Sequence, residues 1–587
     1  MNQFANPYAY IREQVIAAIA ALAEQGVLPG DMDFANLAVE APRDTGHGDV
    51  AINAALVLTK QARMKPRDIA EPLAARLADL ADVTAVDIAG PGFINLRLSD
   101  AFWRARLGDV LTAGPAYGDS KTANGAKINI EYVSANPTGP LHVGHVRGAV
   151  YGDVLANLLA KVGYAVCKEY YINDAGAQVD VLARSVHLRY RETLGEEIGA
   201  IPEGMYPGDY LVPVARAIAE RDGDKWRELA EADWLADFRR ISVDAMMDLV
   251  RADLASLGIE QEVFFSEEGL QLKGGIDRGV ASLADKGLIY TGVLEPPKGK
   301  IPEDWEPRPQ TLFKASEFGD DVDRPLQKSD GAWTYFAADV AYHYDKLQRG
   351  YLQMVDVLGA DHGGYVKRLN AVVKALSGGE GTLDVRLCQM VRLLRGGEVV
   401  VMSKRAGNFV TLRELVDEVG RDVVRFMMLT RKNDAPLDFD FDAAAEQSKD
   451  NPVFYVQYAH ARICSVLRRV GEELPDLDLH AENLAQADFS RLTDSAEMDL
   501  IKQMAAWPRA VDIAAQAREP HRIAFYLNEL ASSFHALWNK GNAEPNLRFI
   551  VGSDQAVTRA RLALIQGVAF VLASGLDVMG VKPAESM

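Results

Sequence analysis

Two histidines three residues apart, at the start of an amphipathic segment, are the first candidates for chemistry. His142 and His145 flank Gly144 in the sequence PLHVGH, and apolar residues follow at helical spacing as far as Gly163. Because residues three apart share one face of a helix, both imidazoles are expected on the same side of the first turn. A helix N-terminus offers unpaired N–H groups and partial positive charge, which suits phosphate. In a strand–turn–helix context the pattern therefore predicts a phosphate site to which two imidazoles donate hydrogen bonds, whereas the HxGH tetrad taken alone leaves a structural role as the alternative.

A basic segment further along the chain, VMSKRAGN, is the second candidate. It follows a glycine pair at 396–397 and ends in Gly407-Asn408, so that Lys404 and Arg405 lie between two flexible points. Such a loop is able to close over an anion. Taken alone, the motif leaves a solvated basic turn as the alternative.

The segments around the histidines predict the fold that positions them. Residues 127–134, KINIEYVS, alternate polar and apolar side chains as a strand does, and residues 135–140, ANPTGP, contain two X-Pro steps typical of a turn. The helix at 141–163 and a further strand-like run ending at Asp174 follow. Strand, turn, helix and strand together predict the opening of a parallel α/β nucleotide-binding domain of Rossmann type.

Three domains and a linker are predicted along the chain. Residues 1–113 begin with an amphipathic helix and end in paired strands, and predict an N-terminal α/β domain, whereas the small, polar residues of 114–126 predict a linker. Residues 127–450 predict the Rossmann-type domain with a helical insertion at about 175–330. Residues 451–587 have helical periodicity almost throughout and predict an all-α bundle. The fold class is thus multidomain α/β.

Length, composition and charge narrow the class of protein. A chain of 587 residues is too long for one compact core, and 48% hydrophobic with 25% charged residues is typical of a globular protein rather than a disordered one. The net charge of −20 argues against a nucleic-acid partner, since phosphates are bound mainly by Lys and Arg. The local field of a patch outweighs the sum over the surface, so such a partner is not excluded.

Cysteine usage and the N-terminus bear on the compartment. The cysteines, Cys167, Cys388 and Cys464, are scattered and form no CxxC pair, so neither a disulfide framework nor a thiolate zinc site is expected. The first residues have helical spacing without a basic leader, and no uninterrupted apolar stretch reaches the ~20 residues of a membrane span. We therefore expect a cytoplasmic protein with no membrane partner.

Together and in this order, the two motifs resemble the HIGH and KMSKS signatures of the class I aminoacyl-tRNA synthetases. By that resemblance His142 and His145 stabilise the transition state when a carboxylate attacks the α-phosphate of ATP, and Lys404, with Arg405, holds the other phosphates. The motif departs from KMSKS at Val401, where lysine is usual, and at Arg405, where serine is usual. ATP with Mg²⁺ is the implied substrate, with no protein-bound zinc or other metal. The implied nucleotide-binding residues are Pro140, Leu141, Gly144, Met402, Ser403 and Gly407. The HIGH-type region comprises Ala135, Asn136, Pro137, Thr138, Gly139, Pro140, Leu141, His142, Val143, Gly144 and His145.

The turn before the histidines, EYVSANPTGP, resembles that of the arginyl-tRNA synthetases, as do YFAAD (335–339) and GADHGG (359–364). In that family the matching side chains contact or border the substrate arginine. A guanidinium presents a planar fork of donors best met by carboxylates and a phenol oxygen, and such a pocket rejects lysine through unmet hydrogen bonds. For Asp339 alone, an ion pair on a helix face is the alternative. The implied amino-acid-binding residues are Glu131, Ser134, Asn136, Tyr335, Asp339, Asp361 and His362.

The resemblance extends to both ends of the chain. HGDVA and AGPGFINLRL are similar to the family's N-terminal domain, YPGDY (206–210) to an insertion motif, and NPVFYVQYAHARIC and MGVKPAESM to the start and end of its anticodon-binding domain. Aromatic and cationic side chains mixed along that first helix suit stacking on unpaired bases and binding of phosphates, although helix core is the alternative for the tyrosines. The implied tRNA-binding residues are Tyr455, Tyr458, His460, Arg462, Arg468 and Arg469.

The resemblance implies that ATP activates L-arginine and that the product is transferred to the 3′ end of tRNA(Arg) by a monomeric enzyme, with activation dependent on tRNA. Three alternatives are distinguishable. A small-molecule nucleotidyltransferase shares the HxGH turn but not the helical bundle, and a silent tRNA-binding relative would lack the histidines or Lys404. A class I synthetase for another amino acid would lack the residues just assigned to arginine.

Overall fold

The computed structural model describes residues 6–42, 44–294, 308–400, 409–448 and 450–587. The chain divides into two compact units. The terminal unit contains residues 1–120, 447–518 and 522–587, and the central unit contains residues 121–446 and 519–521.

The first part of the terminal unit is a small antiparallel sheet with helices. Its strands run in the order β1-β2-β4-β3, and the paired strands predicted before the linker are β3 and β4. Asn6 caps the first helix, because its side chain accepts hydrogen bonds from the amides of Tyr8 and Ala9. The strands are β1 (Val39–Glu40), β2 (Val50–Ile52), β3 (Val83–Ala89) and β4 (Phe93–Leu98), and the helices are α1 (Pro7–Glu24), α2 (Ala54–Val57), α3 (Thr59–Ala62), α4 (Pro66–Ala78) and α5 (Asp100–Ala113).

The second part of the terminal unit is helical, as predicted. Among the described helices, α22 is long and apolar enough to cross a membrane by length and composition, with a mean hydropathy of 1.5, yet 78% of that window is buried inside the protein. It is therefore placed as a core helix of the bundle. The helices are α17 (Pro452–Glu473), α18 (Ala481–Leu484), α19 (Ser495–Ala505), α20 (Trp507–Ala517), α21 (His521–Ala543) and α22 (Gln555–Val578).

The two parts of the terminal unit share one core, although more than 300 residues separate them in sequence. The buried indole of Trp507 donates a hydrogen bond of 2.8 Å to the carbonyl oxygen of Tyr117. Lys502 forms an ion pair of 2.7 Å with Asp49. Nothing in the sequence pattern indicated this pairing of the first and last segments.

The central unit is built on a five-stranded parallel sheet with the order β12-β11-β5-β6-β7. Strand order reverses between β11 and β5, the topological switch point at which doubly wound folds bind ligands. The predicted Rossmann-type core is confirmed. The strands of this sheet are β5 (Lys127–Glu131), β6 (Ala165–Ile172), β7 (Val263–Ser266), β11 (Gln353–Gly359) and β12 (Thr382–Cys388).

Helices surround this sheet, and α7, α8 and α9 form the helical insertion between β6 and β7. The segment that follows differs from the helical expectation, since β7 joins the main sheet and β8–β10 form a separate antiparallel sheet. Strands of four residues are too short to show a clear period in sequence. The remaining strands are β8 (Ile289–Gly292), β9 (Gln310–Phe313), β10 (Arg324–Gln327), β13 (Val391–Arg395), β14 (Glu398–Val399) and β15 (Leu437–Asp440). The helices are α6 (Val143–Lys161), α7 (Ala177–Thr193), α8 (Leu211–Asp222), α9 (Glu231–Ser256), α10 (Glu267–Leu272), α11 (Gly275–Asp285), α12 (Tyr335–Gln348), α13 (Val366–Ser377), α14 (Leu412–Val419), α15 (Arg421–Met427) and α16 (Phe441–Ala445).

Candidate functional site

Two cavities of the central unit are lined by residues of the histidine turn and by Tyr335. The first, here the histidine cavity, has a volume of about 520 Å³, and the second, here the Tyr335 cavity, about 860 Å³. The histidine cavity is lined by Ala135, Asn136, Thr138, Gly139, Pro140, Leu141, His142, His145, Tyr206, Pro207, Gly208, Asp209, Tyr210, Phe409, Thr411 and Glu414. The Tyr335 cavity is lined by Ala175, Gly176, Ala177, Glu267, Gln271, Ile276, Lys328, Trp333, Thr334, Tyr335, Phe336, Ala338, Tyr365 and Arg368.

The two histidines cap the helix α6 in place of the usual Ser, Thr or Asp. Nδ1 of His142 accepts from the amide of Gly144 at 3.1 Å, and Nδ1 of His145 accepts from the amide of His142 at 3.2 Å. Their rings lie 3.9 Å apart between centroids. Because each Nδ1 accepts, each neutral ring carries its proton on Nε2. The cap thereby presents Nε2–H donors, which is the form that stabilises charge growing on a phosphate.

The backbone between β5 and the histidine turn is strained. Val133 and Ser134 have φ of +73° and +38°, although neither is glycine, and such conformations cost about 1–3 kcal/mol each. The hydroxyl of Ser134 donates to Glu131 at 3.0 Å and accepts from the amide of Tyr171 at 3.0 Å. These contacts hold Ser134 at the switch point in a conformation that it would not otherwise adopt.

Side chains from the neighbouring elements fix the turn that follows. The hydroxyls of Tyr170 and Tyr210 donate to carbonyl oxygens of the turn, that of Ala135 at 2.6 Å and that of Thr138 at 2.8 Å. Tyr210 belongs to the YPGDY segment, which lines the histidine cavity over its whole length. The insertion therefore forms a wall of the candidate nucleotide site, a placement that the sequence motif alone did not indicate.

The candidate residues of the basic loop, Met402, Ser403, Lys404, Arg405 and Gly407, lie outside the described residues. The chain that emerges from this segment is bonded to the histidine turn. The amide of Val143 donates to the carbonyl of Val410 at 3.1 Å, and the ring of Phe409 lies 5.9 Å from that of His142. The chain that follows the second motif therefore lies beside the first motif.

The Tyr335 cavity has acidic and aromatic walls. Tyr335 is the first residue of α12 and is 77% exposed, whereas Glu267 at the start of α10 is buried. Burial raises the pKa of Glu267. Sequence reasoning missed Glu267, although an acidic residue directly after a strand of the parallel sheet was an available signal. Arg368 lies at the same cavity, 4.6 Å from the ring of Tyr365.

Asp339 lies one helical turn after Tyr335. Within the described residues its carboxylate has no hydrogen-bond or ion-pair partner, so the helix-face ion pair considered from sequence does not form there. Burial raises the pKa of Asp339 to about 7; His343 and Arg368 oppose the rise, and Glu267 and Glu131 add to it. A guanidinium placed beside such a carboxyl would stabilise its ionised form.

Glu131 is buried at the end of β5 and already has a cationic partner. Nζ of Lys346 donates to its Oε2 at 2.7 Å. The structure brings Glu131 within electrostatic reach of Asp339 but also pairs it internally. Direct contact between Glu131 and a substrate stays a prediction.

The remaining amino-acid candidates occupy other positions. Asn136 lines the histidine cavity, and its amide donates to Gln178 at 2.9 Å. Asp361 and His362 are exposed in the loop after β11, at 3.6 Å from each other. Neither residue lines the Tyr335 cavity, but Tyr365, which ends the same short 3₁₀ helix, does.

The candidate tRNA residues lie on the first helix of the bundle. The guanidinium of Arg462 lies over the ring of Tyr458 at 4.1 Å and over that of Trp538 at 4.9 Å, and Tyr455 packs on His535 at 4.5 Å. Beside this stack is a cavity of about 350 Å³. It is lined by Val466, Arg469, Leu537, Trp538, Gly541, Asn542, Leu547, Arg548, Phe549 and Ile550.

Two of these candidates hold the C-terminal tail instead of facing solvent freely. His460 is buried, and its Nδ1 donates to the carbonyl of Ala584 at 2.7 Å; burial lowers its pKa. Arg468 is exposed and donates to the carbonyl of Glu585 at 3.0 Å. The structure thus places His460 against the tail, and its contact with tRNA stays a prediction.

Metal ligation has no evident place in the described part of the chain, where no three His, Cys, Asp or Glu side chains cluster suitably.

Comparisons with known proteins agree along the chain. Residues 9–98 match the family described as Arginyl tRNA synthetase N terminal domain, residues 106–207 match tRNA synthetases class I (R), catalytic domain, and residues 456–587 match DALR anticodon binding domain. The arginine–tRNA ligase of Parvibaculum lavamentivorans is 60% identical over 582 residues, covering 99% of this chain and 100% of that protein. That of Xanthobacter autotrophicus is 59% identical over 585 residues, with 99% and 100% covered. The Thermus thermophilus arginyl-tRNA synthetase structure is similar in fold, with a TM-score of 0.75 at 22% identity, covering 98% of this chain and 100% of that chain.

Proposed function

Since the chain belongs to the arginyl-tRNA synthetase family, we propose that its histidine cavity binds ATP and its Tyr335 cavity binds arginine. The protein is a class I arginine–tRNA ligase, so its reaction joins arginine to the 3′ end of tRNA(Arg) at the expense of ATP. The proposal concerns which side chains carry out each step.

The observation that carries the proposal is the junction of the two cavities. Asn136 lines the histidine cavity, and its amide donates to Gln178, whose neighbour Ala177 lines the Tyr335 cavity. The two cavities therefore adjoin at the carboxyl edge of the sheet, which would bring an amino acid in one close to a nucleotide in the other. Positioning of two reactants in this way removes much of the entropic barrier of their reaction.

Activation needs the carboxylate of arginine to attack the α-phosphorus of ATP while pyrophosphate leaves. The Nε2–H groups of His142 and His145 donate to the phosphate oxygens as negative charge grows there. Lys404, with Arg405, binds the departing phosphates together with the Mg²⁺ that accompanies ATP. Each of these groups stabilises the transition state more than the ground state.

Recognition of arginine rests on the acidic wall of the Tyr335 cavity. The carboxylate of Asp339, one helical turn after Tyr335, and the carboxyl of Glu267 in the cavity wall accept the guanidinium, and Tyr335 covers it. The ammonium of lysine carries its three donors on one tetrahedral nitrogen and lacks the planar fork of a guanidinium, so it is expected to match these two acceptors less well.

We assign the tRNA anticodon to the bundle of the terminal unit. The stack of Tyr458, Arg462 and Trp538 borders the 350 Å³ cavity, in which Arg469 and Arg548 add positive charge. An aromatic and guanidinium platform of this kind suits an unpaired base and its phosphate. These local cations reconcile tRNA binding with the net charge of −20.

The decisive experiment is aminoacylation of bulk tRNA with each of the twenty amino acids in turn. Arginine alone is expected to be esterified, and charging with lysine at a comparable rate would contradict the pocket described above. Pyrophosphate exchange is expected to be negligible until tRNA(Arg) is added. The monomeric state, the cytoplasmic location and the absence of a membrane partner stay predictions.

A further inference from the structure

A buried cluster of charged groups lies beneath α12, and the steps described so far do not use it. His343 and Lys346 on the inner face of the helix are 2% and 0% exposed, and Asp356 on β11 is 3% exposed. Nε2 of His343 lies 3.2 Å from one carboxylate oxygen of Asp356, and Nζ of Lys346 lies 3.0 Å from the other. Burial of three ionisable groups is costly unless each is compensated, so their arrangement requires a reason.

The contacts of His343 show which protons it carries. Its Nδ1 lies 2.8 Å from the main-chain carbonyl oxygen of Asp339, and its Nε2 faces the carboxylate of Asp356. Both partners are acceptors only, so both ring nitrogens must donate, and the ring is an imidazolium. Burial by itself would lower the pKa of His343, but the hydrogen bond and charge of Asp356 raise it above its ordinary value.

The rest of the cluster is internally balanced. Lys346 donates to Glu131 at 2.7 Å as well as to Asp356, so two cations, His343 and Lys346, face two anions, Glu131 and Asp356. Burial would lower the pKa of Lys346, but these carboxylates raise it. Both carboxylates of the cluster are thus paired inside the protein, whereas the carboxylate of Asp339 has no hydrogen-bond or ion-pair partner among the described residues.

Asp339 is surrounded by charges of both signs. His343 on the same helix and Arg368 on α13 favour its ionised form, and Glu267 on α10 and Glu131 on β5 oppose it. Of the two cations, Arg368 lies at the wall of the cavity, whereas His343 is fixed underneath by two hydrogen bonds. His343 is thus the cation that acts on Asp339 from inside the protein.

We propose that His343 is a positioning and specificity-determining residue for arginine: it fixes the backbone of Asp339 and supplies the positive charge that keeps its carboxylate available to the guanidinium. Asp356 supports His343 in turn, because its carboxylate accepts from Nε2 and balances the charge of the imidazolium, and Lys346 holds that carboxylate in place. This inference rests on the proposed arginine pocket and extends it to residues that never touch the substrate.

Replacement of His343 by glutamine tests the charge, since glutamine keeps an N–H donor but is neutral. Loss of the cation is expected to raise the pKa of Asp339 by about one unit, so that arginine binds roughly fivefold more weakly at pH 7 and almost normally at pH 9. Isothermal calorimetry of arginine binding to the full chain, from pH 6 to pH 9, measures this shift. A purely structural role would lower the melting temperature but leave the midpoint of the pH profile in place.

His187→Gln is the matched control. His187 is also a buried histidine on a helix of the central unit, with Nε2 3.1 Å from the carbonyl of Trp226, but it stacks on Trp234 and is absent from both cavities. Its replacement is expected to lower the melting temperature without moving the pH midpoint of arginine binding. An equal shift in both variants would overturn the assignment to His343.

Asp356→Asn provides a second variant in case His343→Gln fails to fold. Asparagine removes the charge that holds His343 protonated, so the midpoint should again move to higher pH. Failure of both folded variants to move it would contradict the proposal. Asp339→Asn separates this outcome from failure of the proposed pocket. If that variant binds arginine with unaltered affinity and pH dependence, the pocket is wrongly placed. If it binds arginine weakly and its affinity no longer depends on pH, only the role of His343 is contradicted.

Discussion

The amide of Leu412 donates a hydrogen bond of 2.8 Å to the carbonyl oxygen of Leu141. This contact joins the histidine turn to the chain that follows the basic loop. The bond therefore places the chain that follows the basic loop beside the histidine turn, and convergence of the two motifs on one triphosphate stays a prediction.

Leu141 is held on its other side by the insertion, which leads to a first prediction. The buried carboxylate of Asp253 accepts from the amide of Leu141 at 3.0 Å, and burial raises its pKa. Asp253→Ala removes the only side-chain acceptor shown for this amide and should lower the activation rate by on the order of tenfold, because reacting groups tolerate little displacement. Asp253→Asn keeps an oxygen acceptor and should lose much less. Pyrophosphate exchange measured with tRNA distinguishes them, and equal losses would contradict a role through the hydrogen bond.

At His145 the helix cap uses Nδ1 and the proposed catalytic donor is Nε2–H, so stability and catalysis can be tested separately. Asparagine places Oδ1 near the position of Nδ1, so His145→Asn should retain the bond from the amide of His142 while losing the Nε2–H donor. We expect an activation rate lower by on the order of a hundredfold with a nearly unchanged melting temperature, the usual effect of losing one charge-stabilising donor.

His145→Gln is the complementary variant, since it keeps a donor near Nε2 but loses the capping acceptor. It should lose about 1 kcal/mol of stability and retain more activity than His145→Asn. Calorimetric melting and single-turnover activation give both readouts. The opposite order of activities would remove the role given to Nε2.

Arginine affinity should depend on pH through Asp339. The bound guanidinium requires the ionised carboxylate, and burial raises the pKa of Asp339 to about 7. Below pH 7 the dissociation constant should therefore rise about tenfold per unit, and above pH 8 it should be level. The sign for stability is the reverse: because the folded pKa exceeds the unfolded one, the contribution of Asp339 is present below about pH 4 and is lost as pH rises to 7. A dissociation constant that is level from pH 5 to 8 would contradict this assignment.

A glycine pair tests the shared core of the terminal unit. Gly118 has φ of +95°, and an added Cβ would lie 2.5 Å from Nε1 of Trp507. Gly118→Ala should cost roughly 2–4 kcal/mol of unfolding free energy through strain and overpacking. Gly26, which follows the end of α1 in the left-handed region with φ of +72°, has open space around it, so Gly26→Ala should cost only about 1 kcal/mol. Urea unfolding of both variants measures the difference, and equal effects would show that the contact with Trp507 carries no weight.

Local motifs were well predicted from the sequence, and pairings across long distances were not. The strand ending at Glu131, the turn after it and the helix capped by His142 all follow from short-range periodicity and from Pro and Gly positions, which act through neighbouring residues. Glu267 was not predicted, because its position as a ligand depends on the pairing of β7 with β6. A strand of four residues shows little periodicity in the sequence.

The sequence by itself determined the chemistry available: paired imidazoles at a helix start, a basic loop, and acidic and phenolic groups suited to a guanidinium. Tertiary structure alone decided which of those groups meet, since it placed Asn136 with the histidines, gave Glu131 an internal lysine and turned His460 towards the C-terminal tail. It also set the imidazolium of His343 under Asp339. The physical reason is that hydrogen bonds and charges act over a few ångströms, and only the folded chain brings residues hundreds of positions apart within that range.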